Sequence, residues 1–194
     1  MDETTIAPPP FEILSPDRQT VPLVLSSPHS GRYYPKSFLE SSRLDQRAIR
    51  SSEDLMIDAL FASAVDLGAP LMRATYPRAY LDVNREPFEL DPKMFVGRLP
   101  PFANIRSLRV AGGLGTIPRI VCDAQDIYRG PIPIEAALER IEAVYKPYHD
   151  RLRRLLAHTH VTFGQAVLID CHSMPSAMRT GHIRLRPDFV LGDR

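Results

Sequence analysis

An α/β layered domain is the fold class this chain predicts, and three observations carry the prediction. Two apolar runs, Val21-Pro22-Leu23-Val24-Leu25 and Ala166-Val167-Leu168-Ile169, are each bounded by polar residues, the pattern of buried parallel strands. Stretches of helical spacing lie between the strand-like runs. Strands and helices therefore alternate, which favours helices packed on the faces of a mainly parallel sheet.

Residues 1–19 read as a loose N-terminal arm, since they open with little apolar content and run into Pro8-Pro9-Pro10. A single domain then occupies 20–194, a length that buries one good core. Its first strand is Val21–Ser26. Over Ser41–Gly68, residues Ile49, Leu55, Met56, Ala59, Leu60 and Ala64 recur at helical spacing and predict a helical region ending at Gly68. Pro70–Ala74 reads as a short strand, and Ala79–Asn84 alternates in a strand-like way. Prolines and glycines break residues 86–132, whose apolar side chains argue for an ordered covering loop. Ile134–Thr159 is the clearest helix, with Leu138, Ile141, Val144, Tyr145, Tyr148, Leu152 and Leu155 as its buried stripe and a kink or junction at Pro147. Phe163–Asp170 and Asp188–Gly192 read as further strands. No helix follows the last one, so the domain reads as C-terminally incomplete.

Composition narrows the function classes. A net charge of +1 gives no footprint for nucleic acid or an anionic membrane surface. No run approaches the ~20 apolar residues of a membrane helix, and the acidic start Met1-Asp2-Glu3 is unlike a secretory signal. The two cysteines, Cys122 and Cys171, form no C-x-x-C pair and suit a reducing cytoplasm. Walker A, G-x-G-x-x-G and G-x-S-x-G patterns are absent. Cys171 adjoins His172 on a strand, where neighbours point to opposite faces. It therefore reads as a small buried hydrophobe rather than a nucleophile.

The chemistry concentrates at two strand ends. Asp170-Cys171-His172-Ser173-Met174-Pro175 follows one apolar run and Ser26-Ser27-Pro28-His29-Ser30-Gly31 follows the other. Open α/β sheets place ligands at the carboxyl ends of their strands, so His29 and His172 are a candidate metal pair. A hydrolytic Zn²⁺ site takes three protein ligands and leaves a position open. The third ligand falls to a carboxylate, Glu53 or Asp54, although acids in a first helical turn also serve as caps. Asn84-Arg85, after the strand-like run, form a candidate anion clamp. Arg119 and Arg129 in the covering loop are further candidates for an anionic substrate.

Taken in order, Ser27-Pro28-His29-Ser30-Gly31, Ser52-Glu53-Asp54, Asp82-Val83-Asn84-Arg85-Glu86, Ile127-Tyr128-Arg129, Tyr145-Lys146-Pro147-Tyr148-His149 and Asp170–Pro175 resemble the N-formylglutamate amidohydrolase family from about residue 20 to the end. The resemblance implies a three-layer α/β/α fold with a mixed, mainly parallel sheet, zinc carboxypeptidase-like (phosphorylase/hydrolase-like) and similar to aspartoacylase. It implies hydrolysis of N-formyl-L-glutamate to formate and L-glutamate in histidine breakdown, with one Zn²⁺ on His29, His172 and an acid, Asp54 favoured and Glu53 the alternative. It also implies a dicarboxylic N-acyl amino acid held by Asn84 and Arg85, with Arg119 and Arg129 as added cations. A related zinc amidohydrolase acting on another N-acyl amino acid, and a non-catalytic metal- or amino-acid-binding module, are the alternatives. In the carboxypeptidase-like superfamily the general base is a glutamate after the second metal histidine. No Glu follows His172 here, only Asp188 and Asp193, so the base is expected beyond Arg194.

Overall fold

A computed structural model describes residues 7–174 and 188–192, apart from the Asp123 side chain. Its strands are β1 (Phe11–Leu14), β2 (Leu23–Ser27), β3 (Leu71–Ala74), β4 (Phe95–Val96), β5 (Ile132–Pro133) and β6 (Val167–Asp170). Its α-helices are α1 (Lys36–Ser41), α2 (Ile57–Leu60), α3 (Leu108–Ala111), α4 (Ile134–Arg140) and α5 (Lys146–Phe163). The main sheet has the order β1-β3-β2-β6, with β2 parallel to both β3 and β6 and β1 antiparallel to β3. A second, small sheet pairs β4 with β5.

Strand period 2 divides the central side chains between two layers. Val24 and Met72 join the larger core with Ile141, Val144, Tyr148 and Leu152 of the long helical segment. Leu25 and Leu71 face the other way, onto Ile57, Ala69 and Cys171, with Phe61, Ala64 and Val65 beside them. The result is the α/β/α layering with a mixed, mainly parallel sheet that the sequence predicts. Cys171 is buried, as expected of a small apolar filler.

The helix predicted over Ile134–Thr159 runs on to Phe163, where Gly164, at φ +74°, takes the left-handed turn that closes it. A π-helical stretch, Ile141–Tyr145, joins α4 to α5 directly before Pro147. The wider turn is where the missing proline N–H is absorbed.

Four local expectations are corrected. Within the supposed arm, Phe11–Leu14 pair residue for residue with Leu71–Ala74 as an edge strand. Apolar Phe11 and Ile13 pack on the core, which the neighbouring prolines concealed. The region Ser41–Gly68 is not one helix but short helical pieces separated by turns. The Asp54 N–H is bound to the His29 carbonyl (3.0 Å), so the chain must bend there, and Met56 takes a left-handed φ of +67°. Leu55, Met56 and Leu60 are consequently exposed. Ala79–Asn84 forms no strand, although Ala79, Leu81 and Val83 are all buried. Burial of the Asp82 carboxylate draws the backbone into a turn instead, with the Asn84 N–H donating to Asp82 Oδ1 at 2.9 Å. Asp188–Gly192 is likewise not a strand; Phe189, Val190 and Leu191 are exposed and pair with no strand among the described residues.

Among the described residues no helix is long and apolar enough to cross a membrane, and both cysteines are free.

Candidate metal centre

Strand register brings the two histidines together. Ser26 lies opposite Asp170, and the Cys171 N–H extends the pairing by donating to the Ser26 carbonyl at 2.7 Å. His29 and His172 therefore leave neighbouring strands at the same level, with ring centroids 4.7 Å apart. Connections depart to opposite sides of β2 at this edge, the crevice where open α/β sheets hold ligands. Gly31 permits the tight path after His29: a Cβ there would meet the Tyr76 carbonyl oxygen at 2.1 Å.

One ligand atom from each of His29, Asp54 and His172 lies within 4.8 Å of the others. His172 Nδ1 is 2.9 Å from Asp54 Oδ2. His29 Nδ1 is 3.4 Å from the same oxygen, yet it is buried and has no hydrogen-bond partner among the described residues. Behind each ring stands a carboxylate. Asp82 Oδ1 is 2.8 Å from His29 Nε2, and Asp170 Oδ2 is 2.8 Å from His172 Nε2. Both imidazoles thus turn Nδ1 toward Asp54 and anchor Nε2 on an acid, the support that fixes tautomer and orientation in histidine metal sites. A buried, unpartnered ring nitrogen is costly unless something fills its lone pair. Two imidazoles and a carboxylate are a donor set that Zn²⁺ accepts, with a position left over.

The electrostatics agree with a site for a cation. Burial works to raise the Asp54 carboxyl, but contacts with His172, His29 and Ser173 outweigh it and hold the group below the usual carboxylate range. Ser173 Oγ donates to Asp54 Oδ1 at 2.8 Å. Asp82 behaves alike: burial is overcome by His29 and by the guanidinium groups of Arg78 and Arg85. Hydrogen bonds to Asp170 and then Asp54 raise His172 to about 9. The proton held between those two acids marks a place where positive charge is favoured.

Glu53, the alternative ligand, is turned away. Its Oε1 accepts from Tyr34 Oη (2.7 Å) and Arg50 Nη1 (3.0 Å). Asn84 lies against the cluster, its Nδ2 3.0 Å from His172 Nε2. Arg85 is half-buried, which lowers its pKa; Nε donates to the Leu114 carbonyl (3.1 Å) and Nη1 to the Asn84 carbonyl (2.7 Å). Arg119 and Arg129 meet elsewhere, in a cleft of about 250 Å³ with Arg43, Lys93, Asp126 and Tyr128 that is lined by none of the three cluster residues. Arg119 is already paired with Asp91 (3.3 Å) and Asp126 (2.7 Å), and Arg129 is exposed.

Asp82, Asp170 and Ser173 are the members that sequence reasoning did not assign. Asp170 and Ser173 had a signal, being at positions i−2 and i+1 from His172. Asp82 had only its place in the motif with Asn84 and Arg85.

A family model described as N-formylglutamate amidohydrolase matches residues 21–194. The chain belongs to the N-formylglutamate amidohydrolase family. It is 28% identical over 183 residues to the N-formylglutamate deformylase of Pseudomonas aeruginosa, covering 93% of this chain and 62% of that protein. The same figures hold for the deformylase of Pseudomonas putida. The crystal structure of N-formylglutamate amidohydrolase from Ralstonia eutropha JMP134 is 32% identical, with a TM-score of 0.79 over 86% of this chain and 59% of that one. A gene product of Agrobacterium tumefaciens shares the fold at 17% identity, TM-score 0.55, covering 89% of this chain and 59% of that one. The chain thus spans about three fifths of the length of the family members it matches.

Proposed function

We propose that the protein is a metal-dependent hydrolase that cleaves the formamide bond of N-formyl-L-glutamate, adding water to give formate and L-glutamate, with one Zn²⁺ held by His29, Asp54 and His172. The observation that carries this reading is the buried, unpartnered Nδ1 of His29 beside Asp54 and His172. The names of the relatives supply the substrate. Placement in histidine breakdown and in the cytoplasm belongs to the same proposal, the latter supported by two free cysteines.

Bound at this cluster, Zn²⁺ supplies Lewis-acid polarisation of the formyl carbonyl and activates water near neutral pH. The chain's own residues do the rest. Asp82 and Asp170 keep the two Nε2–H tautomers, so that each Nδ1 lone pair faces inward. Ser173 holds Asp54 from its far oxygen. Asn84 and Arg85, next to the cluster, supply an amide and a guanidinium for the substrate carboxylate.

Calorimetric titration of chelator-stripped protein with Zn²⁺ tests the site. One ion should bind per chain, and His172→Ala should remove that binding, since two remaining ligands hold the ion poorly. Unchanged stoichiometry in the variant overturns the ligand assignment. Formate release from N-formyl-L-glutamate, against little from N-acetyl-L-glutamate, tests the substrate. Faster cleavage of the acetyl compound points instead to a related amidohydrolase.

A further inference from the structure

Three consecutive main-chain carbonyls, those of Val83, Asn84 and Arg85, lie outside any strand or helix, and each accepts a hydrogen bond from a side chain. Arg85 Nη1 serves Asn84. The other two donors come from the long helical segment: His149 Nε2 is 2.7 Å from the Val83 oxygen and Tyr145 Oη is 2.5 Å from the Arg85 oxygen. We propose that Tyr145 and His149 are positioning residues that set the Asn84-Arg85 clamp, gripping its backbone from either side. The proposal rests on the reading of Asn84-Arg85 as the carboxylate clamp.

The geometry is specific to these two side chains. They stand one turn apart, at i and i+4, so they share a helix face. Their rings lie 4.2 Å apart and tilted by 31°, each limiting the other's rotation. A carbonyl only accepts, so His149 must carry its proton on Nε2 and Tyr145 must donate. Burial favours those forms, lowering the pKa of His149 and raising that of Tyr145 to about 12. Tyr145 closes the π-helical stretch, and such wider turns recur where a helix re-aims a side chain for function. The grip reaches the cluster by short steps. The Asn84 N–H donates to Asp82 Oδ1, the same oxygen that holds His29 Nε2, and the Asn84 amide lies against His172. A shift of this backbone therefore moves the clamp first and the support of His29 second.

The test combines ligand binding with amide exchange. In the Zn²⁺-loaded protein, Tyr145→Phe and His149→Ala should each weaken N-formyl-L-glutamate binding by about tenfold, the scale of one lost hydrogen bond, with metal stoichiometry unchanged. His149→Gln, which keeps a donor, should recover most of the loss. Tyr148→Phe, on the same helical segment, removes a hydroxyl bonded instead to Ser26 of β2 and should leave binding unaltered. Without any ligand, the Asn84 amide should exchange about tenfold faster in the first two variants, while amides within α5 keep their rates. Unchanged Asn84 exchange in both variants overturns the inference outright. If Arg85→Ala weakens binding and Tyr145→Phe and His149→Ala do not, positioning fails while the clamp stands. If Arg85→Ala also leaves binding intact, the clamp reading itself falls.

Discussion

Replacing Asp82 by alanine should be among the most damaging single changes in the fold, because one carboxylate answers four neighbours. Its Oδ1 accepts from His29 Nε2 (2.8 Å) and the Asn84 N–H (2.9 Å), and its Oδ2 accepts from Arg78 (2.8 Å) with Arg85 Nε at 3.7 Å. The Asp82 side chain is 1% exposed and that of His29 2%, so water cannot replace the lost acceptor for the ring. Each buried donor left unmade costs about 1–3 kcal/mol, and opening a buried charge pair costs about 3–5 kcal/mol in total. The Arg78 side chain, 21% exposed, recovers part of its solvation, which places the expected loss near 3 kcal/mol. At about 2–4 °C per kcal/mol for a chain of this size, the melting temperature of metal-free protein should fall by roughly 6–12 °C. Differential scanning calorimetry with urea denaturation as a second probe gives the number. Asp82→Asn separates charge from shape. With its oxygen toward His29 the amide sets Nδ2 against Arg78; flipped, it sets Nδ2 against His29 Nε2 and moves the ring proton to Nδ1. Zn²⁺ affinity should drop by about 10- to 100-fold in this variant, the usual cost of disturbing a ligand's support. A melting temperature within about 3 °C of the parent for Asp82→Ala, together with unaltered Zn²⁺ affinity for Asp82→Asn, would refute this account of the residue.

Three further outcomes follow from the same geometry. Glu53→Gln should leave metal stoichiometry intact and lower stability by about 1 kcal/mol, since only the bonds from Tyr34 and Arg50 change; metal titration and a melting curve on one sample decide it. Gly31→Ala should destabilise by about 1–3 kcal/mol, because a Cβ has to displace the Tyr76 carbonyl from 2.1 Å, and equilibrium denaturation should show it. Under native conditions a maleimide should label the exposed Cys122 and spare the buried Cys171, whose thiol burial pushes up to about 12; peptide mapping reads the ratio, and rapid labelling of both thiols contradicts the packing.

What the sequence disclosed, and what it withheld, follows the range of the forces involved. The two histidines were legible because an apolar strand ending in polar residues is a local pattern, and register then brings such ends together. The long helix was legible for the same reason, its stripe repeating over many turns. Asp54 and Glu53 were inseparable by spacing; a tie from the Asp54 backbone to the His29 carbonyl turns one inward and leaves the other to Tyr34. Asp82 was hidden by its own context. Between Leu81 and Val83 it reads as the outward residue of a strand, and only a partner far along the chain, His29, together with Arg78 four residues back, makes its burial favourable. The broken helix over Ser41–Gly68 has the same origin. Apolar spacing suited a helix, but a long-range bond to the cluster outweighed local propensity.

β6 carries His172 at one end and, among the described residues, pairs with β2 alone, leaving Val167, Leu168 and Ile169 between 38% and 47% exposed. One of the three proposed ligands is therefore mounted on an edge that, among the described residues, a single neighbour keeps in register. Thermodynamic reciprocity gives this a definite meaning: whatever steadies the edge tightens the ion, and the ion steadies the edge by an equal free energy. The proposed centre is in that sense a clasp across two strands, and the ion affinity measured for it doubles as a gauge of how firmly the sheet is closed.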